Sequence, residues 1–571
     1  MQMIRKLIGV LLMLCTLTTA HGQESDRHNF TTAKYLETFN AVYKCLDMMY
    51  VDTLDANVVV RYGINAMLGS LDPYTEFYTA DDTKDLDLMM TGRYGGIGSM
   101  IRYDLVRKSV VIDFPYENTP AAKAGLQKGD VILSIDDSVM TDKSTAYVSK
   151  HLRGDAGSSF EIKIFRPATG KTFSKIITRE QIQQPPVDYY GVQPGGIGYL
   201  SLTSFTDDCS REVRRAVLDM KHNGMTSLVL DLRGNTGGSV EEAINIINMF
   251  VPKGQTLLTM KGKLKQSNRE FTTKGEPIDT VMPIVVLVDG ETASSSEITC
   301  GSLQDLDRAV IMGTRTFGKG LVQSTLEMPY NGAIKLTTSK YYIPSGRCIQ
   351  AINYKHGRSG GYTEHIPDSL THEFRTRGGR VVRDGGGIKP DIEVRMDSVP
   401  NIAFYLATSG LDSTESMLNW EIAYIKKHKH IAPAATFKIS DDDFEDFKQF
   451  VIKRGFKYDR QSETQFKNLV KCAQFEGYYD DAKAEFDALE QRLNHNLERD
   501  LEYNKKLLKN LLTNDIVGAY YFQRGCAQNR LLYDKQWKAA VELLQNPEKY
   551  RATLLPPKAE EANDTAATAT E

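Results

Sequence analysis

Residues 284–323 read IVVLVDGETASSSEITCGSLQDLDRAVIMGTRTFGKGLVQ. The apolar run Ile284–Val288 breaks at Asp289-Gly290, and small hydroxyl residues then lead into a helix-like segment, so the pattern is strand, sharp turn, helix start. Ser294 sits at the turn and Glu297 lies one helical turn beyond it. Lys319 follows between Gly318 and Gly320. A serine needs a base to act as a nucleophile at neutral pH, and a lysine serves as that base only when its surroundings lower its pKa from about 10.4 toward about 7. The same residues also have a plain structural reading, because Ser-x-x-Glu is a capping box in which side chains satisfy the first amides of a helix. A third reading fails. Gly313-Thr-Arg-Thr-Phe-Gly318-Lys319-Gly320 is one residue short of a phosphate loop, since Gly320 has no hydroxyl for a metal. The chain that follows, Leu321–Leu326 and Ala333–Tyr342 around Asn331-Gly332, reads as a β-hairpin where a phosphate loop would open a helix.

Upstream of this stretch, strands alternate with helices. Ile197–Leu202 is a strand, Asp208–Lys221 an amphipathic helix and Ser227–Asp231 a buried strand. Asp231-Leu-Arg233-Gly-Asn235-Thr-Gly237-Gly238 then ends that strand, and Glu241–Phe250 returns to helix. This alternation predicts an α/β core whose site lies at the C-terminal ends of its strands, with 231–238 and 289–296 facing each other. Asp231 and Arg233 read as an ion pair that fixes the first loop.

Residues 91–178 have a different texture, with short alternating strands punctuated by glycine. Tyr94-Gly95-Gly96-Ile97-Gly98 predicts a loop free to turn several amides toward one point. Ser99–Tyr103 continues as a strand. Ala124-Gly-Leu126-Gln-Lys-Gly129-Asp130-Val-Ile132, a helical Ser144–Leu152 and the strand Phe160–Arg166 complete a small β domain. Before it, Leu36, Phe39, Val42, Tyr43, Leu46 and Met49 recur at helical spacing and predict a small helical domain, which leaves through the turn Leu71-Asp72-Pro73-Tyr74-Thr75. From Ile402 to Leu555 the chain is again helical, charged and poor in glycine. Its apolar stripes are expected to be ordinary core.

The 571 residues are 41% hydrophobic, enough for several domains. A net charge of -3 argues against nucleic acid as a partner. Met1-Gln-Met-Ile-Arg5-Lys6, the apolar run Leu7–Leu17 and Thr-Thr-Ala20-His-Gly22 have the form of a secretory signal peptide, which predicts export. Cys15 follows Leu14, where a lipidation site needs a small residue, so a lipid anchor is not expected. No later stretch is long and apolar enough to span a membrane. Six cysteines remain (Cys45, Cys209, Cys300, Cys348, Cys472 and Cys526) in no paired or metal-like spacing, which predicts buried free thiols. The 10 histidines form no ligand cluster. No metal or other cofactor is expected, and a histidine-based triad is disfavoured.

Two resemblances give these readings a family. The Gly95-Gly96-Ile97-Gly98 loop followed by Gly125-Leu-x-x-Gly129-Asp130-x-Ile132 resembles a PDZ domain. Asp231-Leu-Arg-x-Asn-x-Gly-Gly238, Thr292-Ala-Ser-x-Ser-Glu297, Arg315-Thr-Phe-Gly-Lys319-Gly with Gln323, Leu336-Thr-Thr-x-x-Tyr-Tyr-x-Pro-Ser-Gly-Arg347 and Gly387-Ile388-x-Pro390-Asp391 resemble the carboxyl-terminal processing serine proteases, in family order. Thr236 stands where the family usually has proline, and Ser295 where it usually has alanine. Neither change removes a reacting group.

The resemblance implies a multidomain α/β protein. Its parts are a signal peptide (1–22), an N-terminal helical domain (28–90), a PDZ domain (91–180), a crotonase-like Ser-Lys protease core (185–395), a C-terminal helical domain (400–555) and a disordered tail (556–571). It implies that Ser294 is the nucleophile, which chemistry alone does not single out among three consecutive serines. It further implies that Lys319 is the base, that Gln323 orients the lysine amine, and that amides near Gly237-Gly238 and that of Ser295 hold the oxyanion. Gly95 to Gly98 would bind a substrate's terminal carboxylate. The expected partners are proteins or peptides with free C-termini, and a homodimer is a further expectation. The expected location is the periplasm. The competing function is a non-proteolytic ligand carrier or PDZ scaffold on the same fold. A carrier has no reason to keep Ser294, Lys319 and Gln323 in register.

Overall fold

The computed structural model describes residues 27–353, 364–493 and 496–556. The expected signal peptide with Cys15, and all but the first residue of the expected tail, lie outside the described residues. The chain divides into two compact units. Of the described residues, those up to Phe77 form one unit, and those from Tyr78 onward form the other.

In the first unit, helix α1 (27–49) precedes α2 (Ala56–Gly69), whose N-terminus is capped by Asp55 accepting from the Asn57 N–H at 2.8 Å. The exit turn forms as its sequence predicts: Asp72 accepts from the Tyr74 and Thr75 N–H groups, each at 2.8 Å. The helical period is real, but its burial is not. Leu36, Phe39, Val42 and Met49 are 62, 52, 53 and 73% exposed. The two described helices of this unit offer each other too little surface to cover both apolar stripes.

The second unit opens with α3 (Thr83–Thr91) and the PDZ-like segment. The latter contains β1 (Arg93–Gly96), β2 (Ser99–Asp104), β3 (Ser109–Pro115), β4 (Val131–Ile135), α4 (Thr145–Leu152), β5 (Ser159–Arg166), β6 (Lys171–Thr178) and β7 (Glu180–Gln183). Its main sheet runs β2-β3-β4-β5-β6, with β2 at one edge. Ile97, Val148, Leu152 and Ile162 share its core. The glycine stretch is only partly the loop expected from sequence, because Arg93–Gly96 pairs as an antiparallel strand with Glu180–Gln183. The two consecutive glycines are set by close approach: a Cβ on Gly95 would lie 2.0 Å from the Gly154 carbonyl oxygen. The turn itself is left to Ile97 and Gly98, the latter at φ +69°.

The core sheet follows. Strands β8 (Val187–Gln193), β9 (Ile197–Leu202), β10 (Ser227–Asp231), β13 (Ile284–Val288), β14 (Val310–Gly313) and β17 (Ile392–Glu393) lie side by side in that order. All neighbours from β9 onward are parallel. Strands β11 (Thr256–Gly262), β12 (Arg269–Thr272), β15 (Leu321–Met328) and β16 (Gly332–Tyr342) belong to a second, antiparallel sheet. The hairpin expected after Lys319 is therefore present as β15 and β16.

Parallel strands buried on both faces read as unbroken apolar runs, which is how Ser227–Asp231 and Ile284–Val288 read. Alternate residues divide between two cores. Leu228, Leu230, Ile284, Val286 and Val288 pack with α5 (Cys209–His222), α6 (Val240–Ile247) and α7 (Ser295–Asp305). Val229, Val285, Leu287 and Met312 pack on the other face against Trp537, Ala540, Leu543 and Tyr550.

The C-terminal region contains α8 (Asn401–Ala407), α9 (Ser416–Lys427), α10 (Asp441–Lys453), α11 (Lys505–Arg530) and α12 (Lys535–Leu544). Phe444, Phe447 and Val451 build its own core, as their spacing predicts. Its last helices, though, form the second cover of the protease sheet. No disulfide joins the described cysteines; Cys209 and Cys300 are buried as expected, whereas Cys45 and Cys472 are exposed.

Candidate active site

Adjacent parallel strands β10 and β13 align Asp231 with Leu287, so the loops that leave their C-terminal ends start side by side. Polar contacts lace them together. Asp289 accepts from the Gly234 N–H at 3.1 Å, Thr292 Oγ1 donates to the Leu232 carbonyl at 3.0 Å, and the Ala293 N–H donates to the Asn235 carbonyl at 3.0 Å. Asn235, fully buried, also sends its side-chain amide to the Leu202 carbonyl at 2.8 Å.

The three serines separate by environment. Ser295 and Ser296 are fully buried, and their hydroxyls donate to the Gly238 and Asn235 carbonyls at 2.8 and 2.9 Å. Ser294 is half-buried and stands at the start of α7 with φ 55° and ψ -117°. A non-glycine residue at positive φ is strained, and such strain persists only where the surroundings impose it. Gly237 is part of that surround. At φ +100° it lies so close to the turn that a Cβ there would sit 2.8 Å from Ser294 Cβ and 2.9 Å from the Ser295 nitrogen. The Gly237 N–H itself donates to Asn235 Oδ1 at 2.9 Å, so this residue supports the loop, and its amide is already engaged. Gly238, at φ +143°, continues the loop beside Phe205.

Glu297 joins the serine turn to the lysine loop. Its carboxylate is fully buried and accepts from the Ser294 N–H at 2.9 Å, the Lys319 N–H at 2.8 Å and the Gly318 N–H at 2.7 Å, and from the Thr316 hydroxyl. Burial raises its pKa to about 7, against the pull of these donors. The sequence offers Glu297 as the far half of a capping box, and it does bond the Ser294 amide. Its bonds to a loop 19 to 22 residues on carry no local signal. Tyr341 adds a second tie, its hydroxyl donating to the Lys319 carbonyl at 2.6 Å. Gln323, half-buried at a bulge in β15, sends its side-chain amide to Thr337 Oγ1 on β16 at 3.1 Å.

Asp231 and Arg233 pair as the sequence suggests, but the pair is turned toward the C-terminal helices. Arg233 also binds Asp534 at 2.6 Å and donates to Gln536 Oε1 at 3.0 Å, while the Tyr199 hydroxyl donates to Asp231 at 2.6 Å. Burial works to raise the Asp231 carboxyl, but the Arg233 guanidinium outweighs it and holds the group below the usual carboxylate range. Among the described residues no group of three or more His, Cys, Asp or Glu side chains is arranged to hold a metal ion, and no helix is long and apolar enough to cross a membrane.

A PDZ-like domain beside an α/β core with a strained serine turn defines a class, and comparison with known proteins supplies its name. Residues 196–356 match the model of peptidase family S41, residues 111–166 that of a PDZ domain, and residues 407–544 a model described as "Probable PDZ-protease, C-terminal helical domain". A carboxy-terminal-processing protease of Bartonella bacilliformis is 34% identical over 61% of this chain and 81% of its own. A Staphylococcus aureus protein described as "Probable CtpA-like serine protease" is 30% identical over 62% of this chain and 71% of its own. Among solved structures, the photosystem II D1 C-terminal processing protease is 28% identical over 62% of this chain and 86% of its own, with a TM-score of 0.34. The chain belongs to the carboxy-terminal-processing protease family and is a serine peptidase of family S41 with a PDZ domain.

Proposed function

We propose that this peptidase is exported through its N-terminal signal-like segment, selects substrates by their C-termini through the PDZ domain, and cleaves them by a Ser294–Lys319 mechanism through an acyl-enzyme. The observation that carries the choice of nucleophile is the separation of the three serines: Ser295 and Ser296 are buried with hydroxyls committed to carbonyls, while Ser294 is half-buried at the strained start of α7. Ser294 Oγ attacks the scissile carbonyl, and neutral Lys319 takes its proton and returns it to the departing amine. Gln323 holds the lysine amine in line. The oxyanion falls to the N–H groups of Gly238 and Ser295 at the helix start, where one lost donor typically costs about 100-fold or more in turnover. Glu297 keeps nucleophile and base in register through their backbones, and the Asp231–Arg233 pair braces the first loop from behind.

Incubating the mature chain with an unstructured protein, beside its variants, tests this. Ser294→Ala abolishes cleavage. Lys319→Arg is as inactive as Lys319→Ala, because a guanidinium stays protonated and cannot accept a proton. Ser295→Ala and Ser296→Ala keep the chemistry and lose about 1 kcal/mol of stability each. An active Ser294→Ala chain, or a dead Ser296→Ala chain that remains folded, rejects the assignment.

A further inference from the structure

The edge strand β2 shows where a bound substrate tail must stop pairing. This inference rests on the reading that a substrate C-terminus docks at Gly95 to Gly98 and adds as a strand beside β2 and α4. With its carboxylate at the loop before β2, the tail runs antiparallel to β2, and its upstream residues pass Ile101 and then Tyr103.

The register fixes which backbone groups of β2 face the open edge. Ile112 N–H donates to the Asp130 carbonyl at 2.9 Å, and its own carbonyl accepts from the Gly129 N–H at 2.8 Å, so Ile112 is turned away from β2. Ile101 is opposite Ile112, and Tyr103 lies two residues further along, opposite Val110. Hydrogen-bonded and non-bonded pairs alternate in an antiparallel ladder, so the backbone groups of Ile101 and Tyr103 face outward while those of Arg102 face β3. These two residues are the rungs that a tail would use.

The second rung is already occupied. The Ser409 hydroxyl, on the turn after α8, donates to the Tyr103 carbonyl at 2.8 Å. That turn is pinned in place: the nearly buried Glu415 accepts from the Leu105 N–H at 3.1 Å and binds Arg102 at 2.8 Å, and Asn419 accepts from Arg107 at 2.7 Å. We infer that Ser409 is a specificity residue: by capping the Tyr103 carbonyl it ends the tail-binding edge at Ile101, so the PDZ domain reads a short terminal segment and turns the upstream chain off the strand.

The test is an N-methyl scan of a fluorescent free-acid decapeptide, taken as the strongest binder from a random array, against the full chain carrying Ser294→Ala to prevent cleavage. N-methylation removes one backbone donor and weakens binding roughly twofold to tenfold where that donor pairs. The unaltered Ser409 chain is expected to show its last sensitive position at the residue facing Ile101. Ser409→Ala is expected to gain one more, two residues upstream, and Ser409→Thr, which keeps the hydroxyl, is expected to match serine. If the upstream position is already sensitive with Ser409 present, or if Ser409→Ala leaves the scan unchanged, the inference is wrong. Amidating the peptide separates the two levels of the argument. Equal binding of acid and amide rejects terminal recognition and this inference with it, whereas weaker amide binding with an unchanged scan rejects the role of Ser409 alone.

Discussion

Glu297 is buried with four donors, an arrangement that costs free energy and needs a reason. One carboxylate here bonds the backbone N–H of both Ser294 and Lys319, so two loops far apart in sequence are positioned by a single group. Its pKa, raised by burial to about 7, is above the value near 4.5 of the unfolded chain. Between those values the folded protein holds more protons than the unfolded one, so this group's stabilisation is complete below pH 4.5 and is lost as pH rises through 7. The loss amounts to about 3 kcal/mol. Denaturation measured from pH 4 to 8 for the native chain and for Glu297→Gln should show the native chain losing about this much relative to the variant as pH rises. Parallel curves would mean that Glu297 titrates as an ordinary exposed glutamate. Ser294, Glu297 and Lys319 are all legible in the sequence as a spaced set, but the joining role of Glu297 is not. Spacing specifies its contact with the first turn of its own helix, and only the tertiary fold brings Gly318 and Lys319 to the same carboxylate.

The elements that carry these residues are the parallel strands β10 and β13, and their legibility has a physical limit. An unbroken apolar strand announces that both faces are covered without saying by what. The cover on one face comes from the helices between the strands, as expected of an α/β core. On the other face it comes from α12 and the chain after it, which the sequence reads as part of a separate helical domain because amphipathic helices look alike whatever they pack on. Trp537 stands edge-on to Tyr199, with ring centroids 5.3 Å apart, and Tyr550 bonds the backbone of Ile284 through its hydroxyl. Tyr199 in turn holds Asp231, so α12 braces the loop of the candidate site from behind. Trp537→Ala should cost about 3–5 kcal/mol, the range for losing a large buried aromatic. The measurements are thermal unfolding and the rate of tryptic cleavage after Arg233, which should accelerate if the loop loosens. An unchanged melting temperature would mean that α12 packs on the sheet without stabilising it.

At the scale of the molecule, a second departure from a chain of independent domains is the contact between the PDZ domain and the C-terminal helices. Lys128, in the glycine-flanked turn of the PDZ domain, has its side chain 1% exposed and lies 2.9 Å from Asp113 of the same domain. It also lies 3.2 Å from Glu421 and 3.8 Å from Asp515, both on the helical side, with the Phe114 ring at 4.2 Å. Val111 and Val131 pack there against Leu418 and Ile422, so the charges are sealed by apolar contacts. Burial pushes the Glu421 carboxyl up to about 8, with Lys128 opposing and Asp515 adding to the rise. Removing the lysine and removing the glutamate charge therefore have unequal effects. Lys128→Met leaves Asp113 and Asp515 facing each other across the junction with no cation between them, a loss of about 3–5 kcal/mol for a broken buried pair. Glu421→Gln removes a carboxylate whose charge burial disfavours and leaves Asp113 at 2.9 Å to pair the lysine, so it should cost little. Hydrogen exchange reads the junction directly. Lys128→Met should speed exchange in β4 and α9 while leaving the protease strands protected, and Glu421→Gln should leave both slow. If Lys128→Met left β4 and α9 as protected as before, the apolar contacts alone would be holding the two domains together, and the buried charges would be incidental to the junction.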